Sequence, residues 1–143
     1  MIPVFNPYVY ISDIFSVLKN LYKGNISGTS KTVKEFEEKI AKRFDRKYGV
    51  AVVNGSASLD LALNAIGLEE KDEVILPSFT IVSCLSAILR SGAKPIFCDV
   101  NSETWNMTID DVQSVYTEKT KAVLMVHTYG LIADAEKIEN FCR

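Results

Sequence analysis

The chain has 143 residues, enough for one domain with its own core, and 48% of them are hydrophobic against 24% charged, which excludes a disordered chain. Sixteen Lys and Arg balance 18 Asp and Glu, giving a formal net charge of −2, and no segment concentrates bases without interleaved acids, so nucleic acid is not an expected partner. No apolar run is long enough to cross a bilayer, and Met1 to Tyr10 lacks the charged start and apolar stretch of a signal peptide, so a cytoplasmic protein without a membrane partner is expected.

The first apolar periodicity is Ile14, Val17, Leu18 and Leu21, which predicts a helix with Ser12 as N-cap and Gly24 as stop. Asn25 to Ser30 reads as a loop, rich in Gly, Ser, Thr and Asn. Val33, Phe36, Ile40 and Phe44 predict a second helix, with Thr32 and Glu35 placed as a capping box. From residue 49 the pattern alternates between strand and helix. Strands are expected at Val50 to Val53, Glu73 to Leu76, Pro95 to Val100 and Lys121 to His127, the last being the most continuous apolar run and hence the expected central strand. Helical faces lie between them: Leu59 to Ile66 closed by Gly67, Ile81 to Leu89 closed by Gly92, and a helix through Tyr116 capped by Thr108 and Asp111. A further helix runs from Asp134 to Cys142. Strands separated by helices of this length predict an α/β fold, a mostly parallel sheet with helices on both faces. Cys84, Cys98 and Cys142 form no C-x-x-C pair and are expected as buried thiols. With one histidine and no cysteine pair, no metal site is expected.

In parallel sheets ligands bind beyond the carboxyl ends of the strands. That singles out Asn54 to Ser58, Pro77 to Thr80, Asp99 to Asn106 and His127 to Ala133, and sets aside the opposite ends around Lys71, Lys94 and Lys121. In Asn54-Gly55-Ser56-Ala57-Ser58 the chain leaves an expected strand and enters a helix. Gly55 permits a tight turn there, and the N–H groups of Ser56, Ala57 and Ser58, with the helix macrodipole, suit a phosphate. The competing reading is that Ser56 only caps its own helix. His127, the single histidine, sits where a strand gives way to a loop, a position that is structural more often than catalytic.

In order along the chain, these segments resemble the DegT/DnrJ/EryC1/StrS family of nucleotide-sugar aminotransferases. The resemblance rests on Ile2-Pro3-Val4, Gly24 to Ser30, Val33 to Phe44, Asn54-Gly55-Ser56-Ala57, and Asp72-Glu73-Val74-Ile75 with Pro77-Ser78-Phe79-Thr80. It continues through Gly92-Ala93-Lys94-Pro95 with Asp99-Val100, Thr104-Trp105-Asn106-Met107, Thr120-Lys121-Ala122 and His127 to Asp134. It implies the type I pyridoxal-phosphate fold, with residues 1–30 as an N-terminal helix and substrate-side loop and residues 31–143 as the first part of the large domain. It implies pyridoxal 5'-phosphate as cofactor, with Gly55, Ser56 and Ala57 at its phosphate and Ile81 over its ring, where the family carries an aromatic residue. Ser27, Gly28, Thr80 and His127 become the substrate-side positions. The activity implied is transfer of an amino group from an amino acid such as glutamate to a nucleotide-linked keto sugar, by a homodimer. The chain ends before the family's acidic partner of the pyridine nitrogen and its Schiff-base lysine, so no catalytic residue is assigned in this chain, which is expected to be inactive alone. The alternatives are a module that binds a phosphorylated ligand or a partner without catalysis, and a sugar dehydratase of the same family.

Overall fold

The computed structural model describes residues 6–143, so Ile2-Pro3-Val4 lies outside the described residues. The contacts divide the chain into two compact units, one ending at Ala51 and one spanning Val52–Arg143.

In the first unit, α1 (Ile11–Tyr22) and α2 (Lys31–Arg43) are joined by a polar loop. The start of α1 is set by Asp13, whose carboxylate accepts the Tyr10 N–H at 3.0 Å, so the N-cap is Tyr10 and the expected Ser12 lies inside the first turn. The N-cap of α2 is Ser30 rather than Thr32. Thr32 instead donates to Asn20 Oδ1 at 2.8 Å, and Asn25 Nδ2 donates to the same oxygen at 3.2 Å, which fastens the loop to α1. Glu35, expected in the capping box, lies 3.6 Å from Lys31. At Gly49 a side chain would come within 2.6 Å of the Glu37 carbonyl, so only glycine lets the chain pass this close to α2.

The second unit contains α3 (Gly55–Ile66), β1 (Glu73–Pro77), α4 (Val82–Arg90), β2 (Lys94–Cys98), α5 (Ile109–Val115), β3 (Thr120–Val123) and α6 (Ala135–Cys142). The strands form one parallel sheet in the order β2-β1-β3. β1 is therefore the central strand and all five of its residues are buried, whereas the run expected to be central, Lys121 to His127, supplies β3 beside it. Ala122 packs against the cluster on one face of β1 and Val123 against the cluster on the other, but no residue of β3 is fully buried. Its ladder ends at Val123, although the Leu124 N–H still donates to the Ile75 carbonyl at 2.8 Å. The expected strand at Val50 to Val53 does not form. No neighbouring strand pairs with it among the described residues, and Val50 and Val53 are exposed. β-branched residues favour a strand only where a partner takes up the backbone groups.

Side-chain alternation on β1 organises the core. Val74 and Leu76 point to one face, where Leu63 of α3 and Cys84, Ala87 and Ile88 of α4 cover them. Ile75 points to the other face, against Cys98, Met107, Val112 of α5 and Ile138 of α6. The crossover from β1 to β2 carries α4 on one side. The return past β1 to β3 puts α5 on the other, so the expected helices on both faces follow from topology. Gly67 and Gly92, expected as helix stops, take left-handed conformations. Thr108 and Asp111 form the expected capping box: each backbone N–H donates to the other's side chain, at 2.8 and 3.3 Å. Cys84 and Cys98 are buried as expected, but Cys142, one turn beyond the buried Ile138 at the end of α6, is exposed.

Candidate functional site

The connections leaving β1 and β3 turn to opposite faces of the sheet, β1 into α4 and β3 into α6. Where neighbouring parallel strands send their connections apart, a crevice opens beyond their carboxyl ends. A cleft of about 350 Å³ lies there, lined by Phe79, Thr80 and Ile81 after β1 and by Val126, His127, Thr128 and Tyr129 after β3. Two of the positions expected on the substrate side, Thr80 and His127, and Ile81, expected over the cofactor ring, thus line the same cleft. Ile81 is the N-cap of α4 and its side chain is exposed, which suits a cover for a planar ligand by dispersion. Thr80 Oγ1 donates to Cys84 Sγ at 3.4 Å. The Ala133 N–H donates to His127 Nδ1 at 3.2 Å, so the neutral ring carries its proton on Nε2.

Beside this cleft stands the start of α3. The Ser56 hydroxyl donates to Ser83 Oγ at 3.1 Å, which ties the first turn of α3 to the first turn of α4. The N-cap of α3 is Asn54: its side-chain oxygen accepts the Ala57 N–H at 2.9 Å, and its carbonyl accepts the Ser58 N–H at 3.1 Å. Ser56 is therefore not the cap, and Ala57 and Ser58 do not present free donors. The N–H groups without an acceptor among the described residues are those of Gly55 and Ser56. Gly55 does not need a left-handed conformation, and a Cβ placed on it would meet nothing within 4 Å. The two unused donors lie at the positive end of a helix. Two N–H groups, the Ser56 hydroxyl and an open approach make a donor set that fits a phosphate dianion.

Sequence reasoning missed Ser83, which carries no motif and matters only because α4 lies against α3. It also passed over Asn54 as the cap, although Asn is a preferred N-cap residue and immediately precedes Gly55. Ser27 and Gly28 lie in the first unit, in a groove between α1 and α2 that also includes Asn20, Asn25 and Thr32. Ser27 Oγ is 2.9 Å from Thr29 Oγ1. Lys71, Lys94 and Lys121 sit at the amino ends of the strands, away from the cleft, as expected. There Glu73 is buried, accepts a hydrogen bond from the Thr117 hydroxyl and lies 3.5 Å from Lys94. The Thr117 bond, followed by the charge of Lys94, holds its carboxyl below the usual range. Among the described residues no cluster of His, Cys, Asp and Glu could hold a metal ion.

The fold and the sequence have close relatives among known proteins. A GDP-perosamine synthase from Escherichia coli O157:H7 is 39% identical over 137 residues, which cover 96% of this chain and 38% of that protein. The structure of the aminotransferase TlmJ from Streptoalloteichus hindustanus superposes with a TM-score of 0.89 at 33% identity, over 100% of this chain and 39% of that one. NtdA from Bacillus subtilis, solved with bound cofactor PMP, superposes with a TM-score of 0.82 at 30% identity, over 92% of this chain and 30% of that one. The chain thus spans less than two-fifths of the length of these relatives. Residues 11–143 match the family model throughout, and the chain belongs to the DegT/DnrJ/EryC1/StrS aminotransferase family.

Proposed function

We propose that this chain supplies the phosphate cradle and one side of the ligand cleft of a pyridoxal-phosphate enzyme. That enzyme transfers an amino group from an amino acid such as glutamate to a nucleotide-linked keto sugar. The observation that carries the reading is the first turn of α3: unused N–H groups at Gly55 and Ser56, the Ser56 hydroxyl, and a glycine whose open side admits a ligand. The turn is anchored through Ser83 to α4, which begins at the cleft. When bound, the cofactor supplies the electron sink that amino transfer requires.

The residues of this chain would bind and orient. Gly55 and Ser56 would hold the phosphate by backbone donors, with the Ser56 hydroxyl turning from Ser83 or bridging to it. Ala57 would form the floor of the turn, its own N–H retained by Asn54. Ile81 would cover one face of the ring and exclude water from it. Thr80 and His127 would face the substrate side of the same cleft. Ser27 and Gly28 are assigned to the substrate side through the family resemblance, and the division of roles between residues 1–30 and 31–143 rests on the same ground. The complete enzyme would act as a homodimer in the cytoplasm.

The test is a titration of the 15N-labelled chain with pyridoxal 5'-phosphate, followed through backbone amides. The largest shifts are expected at Gly55 and Ser56, with smaller ones at Thr80 and Ile81. Inorganic phosphate should move the first pair alone. Shifts confined to the amino ends of the strands, near Lys71 and Lys121, would reject the cradle.

A further inference from the structure

The loop after β2 and the loop after β3 meet at Asn106. Its side chain is 3% exposed and both ends of its carboxamide are used. Asn106 Nδ2 donates to the Leu131 carbonyl at 2.9 Å, and the Thr128 N–H donates to Asn106 Oδ1 at 2.8 Å. The opposite amide orientation would set donor against donor and acceptor against acceptor, so this network admits one arrangement only. A third bond closes the assembly: the Thr128 hydroxyl donates to the Trp105 carbonyl at 3.2 Å. Within its own loop the Asn101 N–H donates to the Asn106 carbonyl at 3.0 Å, and the Trp105 N–H to the Asn101 carbonyl at 2.8 Å.

The residues next to these contacts are strained. Trp105 has φ +58° and Tyr129 has φ +52°, a left-handed conformation that bulky side chains rarely adopt. Such conformations persist where surrounding bonds over-determine them. Asn106 supplies those bonds on both sides. The consequences reach the cleft directly. Trp105 packs edge-on against Phe79 at 4.9 Å between ring centroids, and Phe79 lines the cleft. Thr128 sits between His127 and Tyr129, both of which line it too.

We propose that Asn106 is a positioning residue: its carboxamide clamps the two loops together and thereby fixes the orientation of His127, Tyr129 and Phe79 around the cleft. The clamp itself is independent of what the cleft binds; its bearing on cofactor binding rests on the reading given under Proposed function.

The chain carries its own reporters, because Trp105 is the single tryptophan and His127 the single histidine. The experiment compares Asn106→Leu and Asn106→Asp with the parent, at a temperature well below all three melting transitions. Leu removes both bonds at similar volume. Asp keeps the acceptor for the Thr128 N–H and loses the donor to Leu131. Long-range 1H–15N spectra of the imidazole read the tautomer, and iodide quenching of tryptophan emission reads the cover over Trp105. In the parent, His127 should show the single Nε2–H form. Asn106→Leu should lose that pattern to a mixture of tautomers, with increased quenching and red-shifted emission, and Asn106→Asp should fall between. If the Leu variant does not fold, the Asp variant decides by the same two signals. A lowered melting temperature with both signals unchanged would overturn the clamp, since a purely structural residue gives that result. Pyridoxal 5'-phosphate affinity is measured on the same samples. Loop signals that change without any change in affinity would uphold the clamp and count against the cofactor reading instead.

Discussion

Replacing Ser56 and Asn54 separately by alanine distinguishes a ligand cradle from an ordinary helix start. Asn54 is the cap: it accepts the Ala57 N–H at 2.9 Å through its side chain. Asn54→Ala should cost about 1 kcal/mol of stability, within a range of roughly 0.5–2, and lower the melting temperature by about 3 °C. Ser56 contributes a partly buried hydroxyl bond to Ser83 at 3.1 Å. Losing it costs about 0.5–1.5 kcal/mol, and the better helix propensity of alanine returns roughly half a kcal/mol, so the net change in stability is under about 1 kcal/mol. The effects on ligand affinity should be reversed in rank. A hydroxyl donating to a phosphate is worth about 1.5–3 kcal/mol, so Ser56→Ala should weaken pyridoxal 5'-phosphate binding roughly 10- to 150-fold. Asn54→Ala leaves the Gly55 and Ser56 donors in place and should change affinity much less. Melting and equilibrium titration on the same two variants give four numbers. An unchanged dissociation constant for Ser56→Ala, or a larger loss for Asn54→Ala, would refute the assignment.

Three further expectations concern the thiols and Glu73. In the native chain a thiol reagent should modify Cys142 alone, whereas Cys84 and Cys98 should react only on unfolding, as mass mapping after timed labelling would show. Burial, reinforced by Asp111, pushes the Cys98 thiol up to about 11 against an ordinary 9.0. The stability this represents is complete below pH 9.0 and is lost as pH rises through the folded value, so alkaline melting should steepen there, and Cys98→Ala should remove the steepening. At acid pH the sign is opposite for Glu73, whose folded pKa lies below 4.5: its contribution is present above 4.5 and is lost as pH falls through the folded value. Glu73→Gln should flatten the melting curve in that window, and equal acid sensitivity in the variant and the parent would contradict the Thr117 and Lys94 contacts.

The α/β class, the helix ends at Gly67 and Gly92 and the capping box at Thr108 were legible because each depends on neighbours a few residues away. The order of strands was not. Lys121 to His127 is the most apolar run, yet Glu73 to Pro77 is central, because centrality is decided by which strands pair, not by composition. Val50 to Val53 has strand composition and no strand, for lack of a partner. At the site, the loop holding Gly55 and Ser56 was visible as a strand-to-helix turn, but which N–H groups remain free depends on where the Asn54 side chain turns. Ser83 and the Asn106 clamp were invisible for a related reason: both join segments distant in sequence, 27 residues apart for Ser56 and Ser83.

The two faces of β1 are completed at different times when the chain is made from its amino end. Leu63, Cys84, Ala87 and Ile88, which cover Val74 and Leu76, precede β2 or lie between β1 and β2. Val112 and Ile138, which cover Ile75, come after β2 has emerged. The β1–α4–β2 unit closes the shorter loop and buries one face first; the cost of loop closure grows with length. During synthesis the Ile75 and Cys98 side of the nascent sheet is therefore bare until α5 and α6 arrive. Apolar surface left bare in this way favours wrong associations.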